Sequence, residues 1–278
     1  MSERNRTDPA YVMGRSAEET IRLQKQSLLY DPSTRRLFEE AGITTGMKVL
    51  DVGSGAGDVA LLAADLVGPD GVVVGVDSNP GILEAARERA RAAGLENVSF
   101  IAEDIRGAGG LDPDFDAVVG RVVLIYLGEP EATLRSLSGH LRPGGIVAFQ
   151  EIDWTNGPTA VPPSRHLARV WEWVPEMFRR AGLDPQMGLK LHQTFLAAGL
   201  PTPTMHLDAP VGGGPDWAGF DYIAGGLRSN LPHILRHEVA TEEEVDIDTF
   251  AERIRAEVVG HEGVIMLPTF VGAWARLP

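Results

Sequence analysis

Between Gly46 and Gly145, short apolar runs alternate with stretches whose apolar residues recur at helical spacing. Met47–Leu50 reads as a short buried strand closed by Asp51. Gly53, Gly55 and Gly57 follow at alternate positions before the helical run Val59–Val67. A second apolar strand, Val72–Val76, ends in Asp77. Ser78-Asn79-Pro80 then leads into a helix, Ile82–Ala93, with Pro80 suited to its first turn and Gly94 to its C′ position. Val98–Ala102, Phe115–Gly120 and Ile146–Gln150 are the third, fourth and fifth strands. Between the last two lie a helix-like Val122–Leu127, a helix Glu129–Leu141 and a turn Arg142-Pro143-Gly144-Gly145. This alternation with short connections predicts a parallel sheet covered on both faces.

The flanks follow a different pattern. Ser16-Ala17-Glu18-Glu19 is a capping box opening a helix to about Leu29, and Asp31-Pro32-Ser33-Thr34 starts a second helix that ends near Gly42. After Glu151 comes a loop rich in turn formers, Asp153–Pro163. Next is a helix Arg165–Ala181 carrying Trp171, Trp173, Val174, Met177 and Phe178, and another over 188–200. Strands are predicted near Thr204–Val211 and Val264–Arg276, with further helix between them, including the amphipathic Phe250–Val259.

The glycine turn carries the candidate chemistry. Glycine suits a turn whose backbone takes dihedrals closed to other residues and whose N–H groups lie against a ligand. Asp77, about 20 residues past the last glycine, stands where doubly wound folds place the carboxylate that accepts ribose hydroxyls. The turn is GxGxG rather than the GxGxxG of dinucleotide sites, and Asp51 immediately precedes it. A carboxylate there repels a pyrophosphate and attracts an ammonium group.

The Asp-x-Gly-x-Gly-x-Gly turn followed by Asp77 resembles the S-adenosylmethionine site of class I methyltransferases, over roughly residues 44 to 152. The resemblance implies an α/β, Rossmann-like, doubly wound and mostly parallel seven-stranded sheet, with an antiparallel closing strand and a helical cap. It implies one catalytic domain in three parts: N-terminal cap helices over 1–45, a cofactor-binding core over 46–153, and acceptor cap helices plus closing strands over 154–278. Residues 154–187 and 212–247 would then cover the acceptor pocket. Asp51 would hold the cofactor's ammonium, Gly53, Ser54 and Gly55 would let the backbone approach, Asp77 with Ser78 and Asn79 would meet the ribose, and Asp104 with Ile105 would frame the adenine. Arg121 or Arg15 would pair with its carboxylate. Tyr11, Arg15, Gln26 and Tyr30 are candidates for lining the mouth. A base is optional for an in-line methyl transfer, and Tyr30, Glu151, Asp153 and His166 are the candidates.

Composition narrows the acceptor. A net charge of −14 over 278 residues, without a Lys/Arg cluster, argues against a nucleic-acid substrate and for a small molecule. The chain has no cysteine, which excludes disulfides and thiolate chemistry. His233 and His237 stand at i and i+4, but no ligand set of metal-site type accompanies them, so no metal is expected. The first residues have no signal-peptide pattern and no apolar run approaches the ~20 residues of a membrane span, so the expected location is the cytoplasm, as a monomer or homodimer. Aromatic residues crowd outside the nucleotide-binding unit, where Trp154, Trp171, Trp173, Phe178, Trp217, Phe220 and Tyr222 lie. A flat, apolar or aromatic acceptor suits such walls, with Tyr11, Asp153, Trp154, Trp173 and Met177 as its candidate contacts. The Tyr-x-x-Gly-Arg-Ser start, Gly120-Arg121 and the ending Ala273-Trp274-Ala275-Arg276 resemble a bacterial group of small-molecule methyltransferases that includes enzymes methylating an indole carbon in natural-product pathways. The alternative is a non-catalytic S-adenosylmethionine-binding sensor or partner subunit.

Overall fold

The computed structural model describes residues 17–107, 111 and 113–278, and side chains from Leu29 onward. In chain order the elements are α1 (Ala17–Ala41), β1 (Lys48–Val52), α2 (Asp58–Val67), β2 (Val72–Asp77), α3 (Pro80–Ala92), β3 (Val98–Ala102), β4 (Phe115–Arg121), α4 (Pro130–Ser138) and β5 (Leu141–Asp153). They continue with β6 (Thr159–Val161), α5 (Arg165–Arg180), α6 (Met187–Ala197), β7 (Thr204–Asp208), β8 (Val211–Gly212), α7 (Gly219–Arg236), α8 (Glu242–Val245), α9 (Ile247–Gly260), β9 (Val264–Met266) and β10 (Thr269–Arg276). The main sheet has seven strands in the order β3-β2-β1-β4-β5-β10-β7, parallel from β3 to β5 and antiparallel at β10. This is the Rossmann-like doubly wound sheet with an antiparallel closing strand that the resemblance implies, and its topological switch lies between β1 and β4.

Strand alternation sorts the core into two layers. Val49, Val73, Ala117, Val119, Ile146 and Ala148 pack on one side with α2, α3 and the end of α1, while Leu50, Val52, Val118, Val147 and Phe149 belong to the larger cluster. The same period places Asp51, Arg121 and Gln150 on the α1 side.

Four expectations change. The two N-terminal helices are one, α1, with Pro32 inside it. An interior proline costs roughly 3 kcal/mol, and here tertiary bonds hold the helix through it: Asp31 and Thr34 bind Arg121 at 2.8 and 3.0 Å, and Thr34 also donates to the buried Gln150 at 2.6 Å. The Arg142–Gly145 turn is the irregular start of β5, paired at Leu141 with Phe115. The two closing strands are each broken near a proline, Pro210 and Pro268, which cannot donate to a ladder. The detached ends β8 and β9 join β6 in a small three-stranded sheet that the sequence did not suggest. No described helix is long and apolar enough to cross a membrane.

Candidate functional site

The turn after β1 is built from left-handed backbone. Gly53, Gly55 and Gly57 have φ of 64°, 52° and 89°. A Cβ on Gly53 would stand 2.6 Å from Val123, and one on Gly57 would stand 3.2 Å from both Ala86 and Phe100. The first glycine therefore lets the turn reach the segment after β4, and the third lets α2 close on α3 and β3. Asp77 ties the turn to the end of β2, accepting from Gly55 N–H at 3.0 Å and Asn79 N–H at 2.8 Å. Asn79 in turn caps α3. Burial raises the Asp77 pKa despite these bonds.

Asp51 is the anomaly. It is 1% exposed, and neither carboxylate oxygen has a partner in good hydrogen-bond geometry; the Ala60 backbone N–H is near enough only to lower its pKa as the smallest of several effects. Ser54 Oγ, on the same turn, is also buried and unpaired. Burial pushes the Asp51 carboxyl well above the usual carboxylate range, and the Arg121 guanidinium opposes that only in part. Buried carboxylates normally have partners, because an unpaired one costs several kcal/mol. Asp58, by contrast, is ion-paired with Arg89 at 2.7 Å.

Val122, just after β4, holds a φ of 56°, an outlier for a β-branched residue. Its N–H donates to Gln150 at 2.8 Å. The Glu151 carboxylate accepts from the N–H groups of Val123 (2.9 Å), Leu124 (2.8 Å) and Ile125 (3.3 Å). These four bonds over-determine a turn whose strain costs about 1–3 kcal/mol. Glu151 is fully buried and desolvation raises its pKa to about 7.

Val122 also opens onto an apolar cavity at the carboxyl edge of the sheet. Ile152 and Phe270 from the sheet form its floor, Val170, Trp171, Val174 and Phe178 of α5 one wall, and Tyr222, Ile223, Gly226, Leu227 and Asn230 of α7 another. Trp154 closes one side and meets Trp171 edge-on at 4.9 Å. Of the described candidate contacts, Trp154 lines this cavity whereas Asp153, Trp173 and Met177 do not, and from the wider aromatic group Trp171, Phe178 and Tyr222 line it as well.

Several expected site residues lie elsewhere. Glu151 and Asp153 alternate with Ile152 and face the other side of β5. There Asp153 accepts from Thr155 N–H and Leu189 N–H, both at 2.9 Å, and pins α6. Trp173, Met177 and His166 follow one stripe of α5, whose centre lies roughly 95° around the helix from the centre of the cavity stripe at about 100° per residue. Trp173 and Met177 are core, at 4% and 0% exposure. His166 Nδ1 meets Glu257 at 2.7 Å, in a cluster where Ser164 Oγ and the backbone N–H groups of Arg165 and His166 also bind that carboxylate. These contacts, led by the Ser164 and His166 bonds, outweigh desolvation and hold the Glu257 pKa at about 2. Tyr30 is fully buried one layer behind the wall, donating to the Pro268 carbonyl at 3.1 Å and stacking on Phe270. Burial, then Tyr222, raises its pKa well above that of a free phenol, which makes it a poor base. Asp104 is half exposed and engaged by Arg106 at 2.6 Å, and Ile105 beside it is buried. Arg121 is committed to Asp31. Ser78 is exposed on the turn beside Asp77. Tyr11 and Arg15 lie outside the described residues, as does the side chain of Gln26 on α1.

Residues 43–186, more than half of the chain, match the family described as methyltransferase domain. The chain belongs to the class I S-adenosylmethionine-dependent methyltransferase family. Among its relatives, the aklanonic acid methyltransferase DauC of Streptomyces sp. strain C5 is 37% identical over 120 residues, which cover 43% of this chain and 54% of that one. The arsenite methyltransferase of Halobacterium salinarum is 38% identical over 112 residues, covering 40% and 29%. The chain thus spans about half or less of the length of these relatives. Among solved structures, the 4+2 cyclase SpnF shares the fold with a TM-score of 0.51 and 20% identity, over 89% of this chain and 81% of that one.

The cofactor of this methyltransferase family fits the residues present. It carries an ammonium group, and the turn presents a dry, unpaired carboxylate in Asp51 with an unpaired hydroxyl in Ser54 beside it. Asp77 keeps lone pairs beyond the backbone N–H groups of Gly55, Ser78 and Asn79 that it meets. Gln150, Thr34 and Asn230 were not singled out in the sequence. For Asn230 a signal existed in the Gly225-Gly226 pair, an unusual interruption four residues earlier in a helical run.

Proposed function

We propose that the chain transfers a methyl group from S-adenosylmethionine to a small, flat and largely apolar acceptor held in the cavity between α5 and α7. The observation that carries this reading is Asp51, a buried carboxylate without a partner on a glycine turn that abuts Val123, whose neighbour Val122 lines the cavity. Bound at that turn, the cofactor supplies an electrophilic methyl carbon on a sulfonium. Asp51 holds the ammonium, and Gly53, Ser54 and Gly55 supply close backbone. Asp77, oriented by the Gly55 and Asn79 N–H groups, takes the ribose hydroxyls, with Ile105 against the adenine. Arg121 works by fixing α1 over the sheet edge and Glu151 by holding the Val122 turn. The core over 46–153 thus supplies the cofactor site, and residues 154–278 supply most of the acceptor cavity.

The relatives' acceptors, aklanonic acid and arsenite, have little in common, so the cavity wall argues the acceptor class. Among the described residues that wall carries no carboxylate, histidine, lysine or arginine, and its titratable groups are Tyr126 and Tyr222. Such a wall suits a nucleophile that attacks before it loses a proton, as an electron-rich aromatic carbon does, the proton of the methylated carbon then leaving from the cationic ring to water at the open mouth, and an indole carbon is the finer form of this reading. Catalysis then rests on alignment and exclusion of water. Incubating the purified chain with S-adenosylmethionine and a panel of electron-rich aromatics, indoles included, tests it. The expected result is S-adenosylhomocysteine together with a product heavier by one methylene. Consumption of a panel member without S-adenosylhomocysteine, as for a cyclase, overturns the methyl-transfer reading. Tight S-adenosylhomocysteine binding without turnover of any panel member favours a sensor.

A further inference from the structure

Two polar atoms in the wall of the apolar cavity have no partner. Asn230 is 6% exposed; its Nδ2 donates to the Gly226 carbonyl at 2.8 Å, which assigns the amide orientation and leaves Oδ1 buried and free. Trp154 Nε1 is likewise buried without an acceptor, whereas the other indole N–H of the wall, on Trp171, donates to the Asn156 carbonyl. One free acceptor and one free donor therefore belong to residues that line a space whose other polar side chains are the phenols of Tyr126 and Tyr222. Left unsatisfied, each destabilises the unliganded protein, and buried polar atoms of this kind are uncommon unless something completes them. Both sit outside the glycine turn, so the cofactor contacts leave them unexplained. The built Cβ of Gly226 meets nothing within 4 Å, so open space adjoins Asn230 on its own helix.

We infer that Trp154 and Asn230 select the acceptor: a flat apolar molecule bearing a hydrogen-bond acceptor, such as a carbonyl oxygen, for the Trp154 Nε1–H, and an N–H or O–H donor for Asn230 Oδ1. This deepens the functional reading above and rests on the cavity being the acceptor site. A polar pair in a dry pocket discriminates more sharply than apolar walls, because an analogue lacking either group leaves a protein atom unpaired in the complex. A hydrocarbon of the same outline is therefore a poor ligand, and a molecule with both groups a good one.

Three probes separate the contributions, each titrated into protein saturated with S-adenosylhomocysteine. Indole-3-carbaldehyde has both groups, 1-methylindole-3-carbaldehyde lacks the donor, and 3-methylindole lacks the carbonyl. Loss of either group is expected to weaken binding about three- to tenfold, the worth of one neutral hydrogen bond. In Asn230→Leu the preference for N–H over N-methyl disappears while the preference for the aldehyde stays. Trp154→Phe gives the reverse pattern, which separates lost bonding from the bulk of the added methyl. The wild-type comparison needs no variant, so a variant that fails to fold does not remove the test. Equal binding of the three probes, or selectivity unchanged in both variants, overturns the inference and leaves the cavity as acceptor site. No binding of any probe by protein that does bind S-adenosylhomocysteine overturns the acceptor-site reading, and this inference with it.

Discussion

Gly226 separates stability from acceptor recognition. It lies inside the 18-residue helix α7, lines the cavity, and has nothing within 4 Å of a built Cβ. Glycine inside a helix is about 1 kcal/mol less favourable than alanine, and no clash offsets the gain from adding a methyl here. Gly226→Ala should therefore stabilise the unliganded protein by about 1 kcal/mol, a rise in melting temperature of roughly 2–4 °C. Gly226→Leu adds four carbons to the wall. If they exclude an equal part of an apolar acceptor, the loss is about 0.8 kcal/mol for each buried carbon, or about 3 kcal/mol, on the order of 100-fold in kcat/KM. The dissociation constant for S-adenosylhomocysteine should stay within about twofold, because the glycine turn is on the other side of Val122. Thermal melts, calorimetry and acceptor kinetics measure the three quantities. Unchanged acceptor kinetics in Gly226→Leu, with a normal melt, would refute the cavity as the acceptor site. A lower melting temperature in Gly226→Ala would refute the open space beside it.

Other consequences concern buried groups. Glu151, raised from 4.5 to about 7, favours its protonated form in the folded state, so its contribution is present below pH 4.5 and lost as pH rises through 7, on the order of 3 kcal/mol. Asp51 and Asp77 are also raised, so the unliganded protein should melt higher near pH 5 than near pH 8, and Glu151→Gln should flatten that slope; a melt that does not vary with pH counts against the burial argument. Trp173→Ala should cost about 3–5 kcal/mol of stability as a core truncation, with S-adenosylhomocysteine affinity intact at low temperature; a normal melt with altered acceptor kinetics would return Trp173 to the site. Thr34→Val removes the hydroxyl that donates to Gln150 and accepts from Arg121, so α1 should lose protection in hydrogen exchange before the sheet does. Equal protection of α1 in both proteins contradicts its role as a clamp.

The nucleotide-binding unit was legible because its signals are local. Asp51, the glycine turn, Asp77 and the Pro80 and Gly94 caps sit within a few residues of what they control, and buried parallel strands announce themselves as apolar runs. On the acceptor side the sequence offered the segments, 154–187 and 212–247, that supply most of the cavity lining, but not which side chains face it, since that depends on pairings that sequence spacing cannot reveal. Glu257 claims His166 from 91 positions away, and Gln150 claims Thr34 from 116. Glu151 and Asp153 read as carboxylates beyond a fifth strand ending at Gln150, but β5 runs on to Asp153, and the period of two that turns Ile152 toward the cavity turns both carboxylates to the opposite face. Trp173 and Trp171 are two residues apart on α5, about 200° around the helix, and nothing in the sequence says which of them faces the pocket.

The central claim is that Asp51 waits, buried and unpaired, for the ammonium of S-adenosylmethionine. Calorimetry with S-adenosylhomocysteine and with 5′-methylthioadenosine, which lacks the amino-acid portion, run on the wild type and on Asp51→Asn, tests it most directly. The account predicts that the substitution weakens S-adenosylhomocysteine by about 10- to 100-fold, the worth of a hydrogen bond between charged groups, and leaves 5′-methylthioadenosine unchanged. Equal weakening of both ligands, or S-adenosylhomocysteine affinity unaltered by Asp51→Asn, would contradict it.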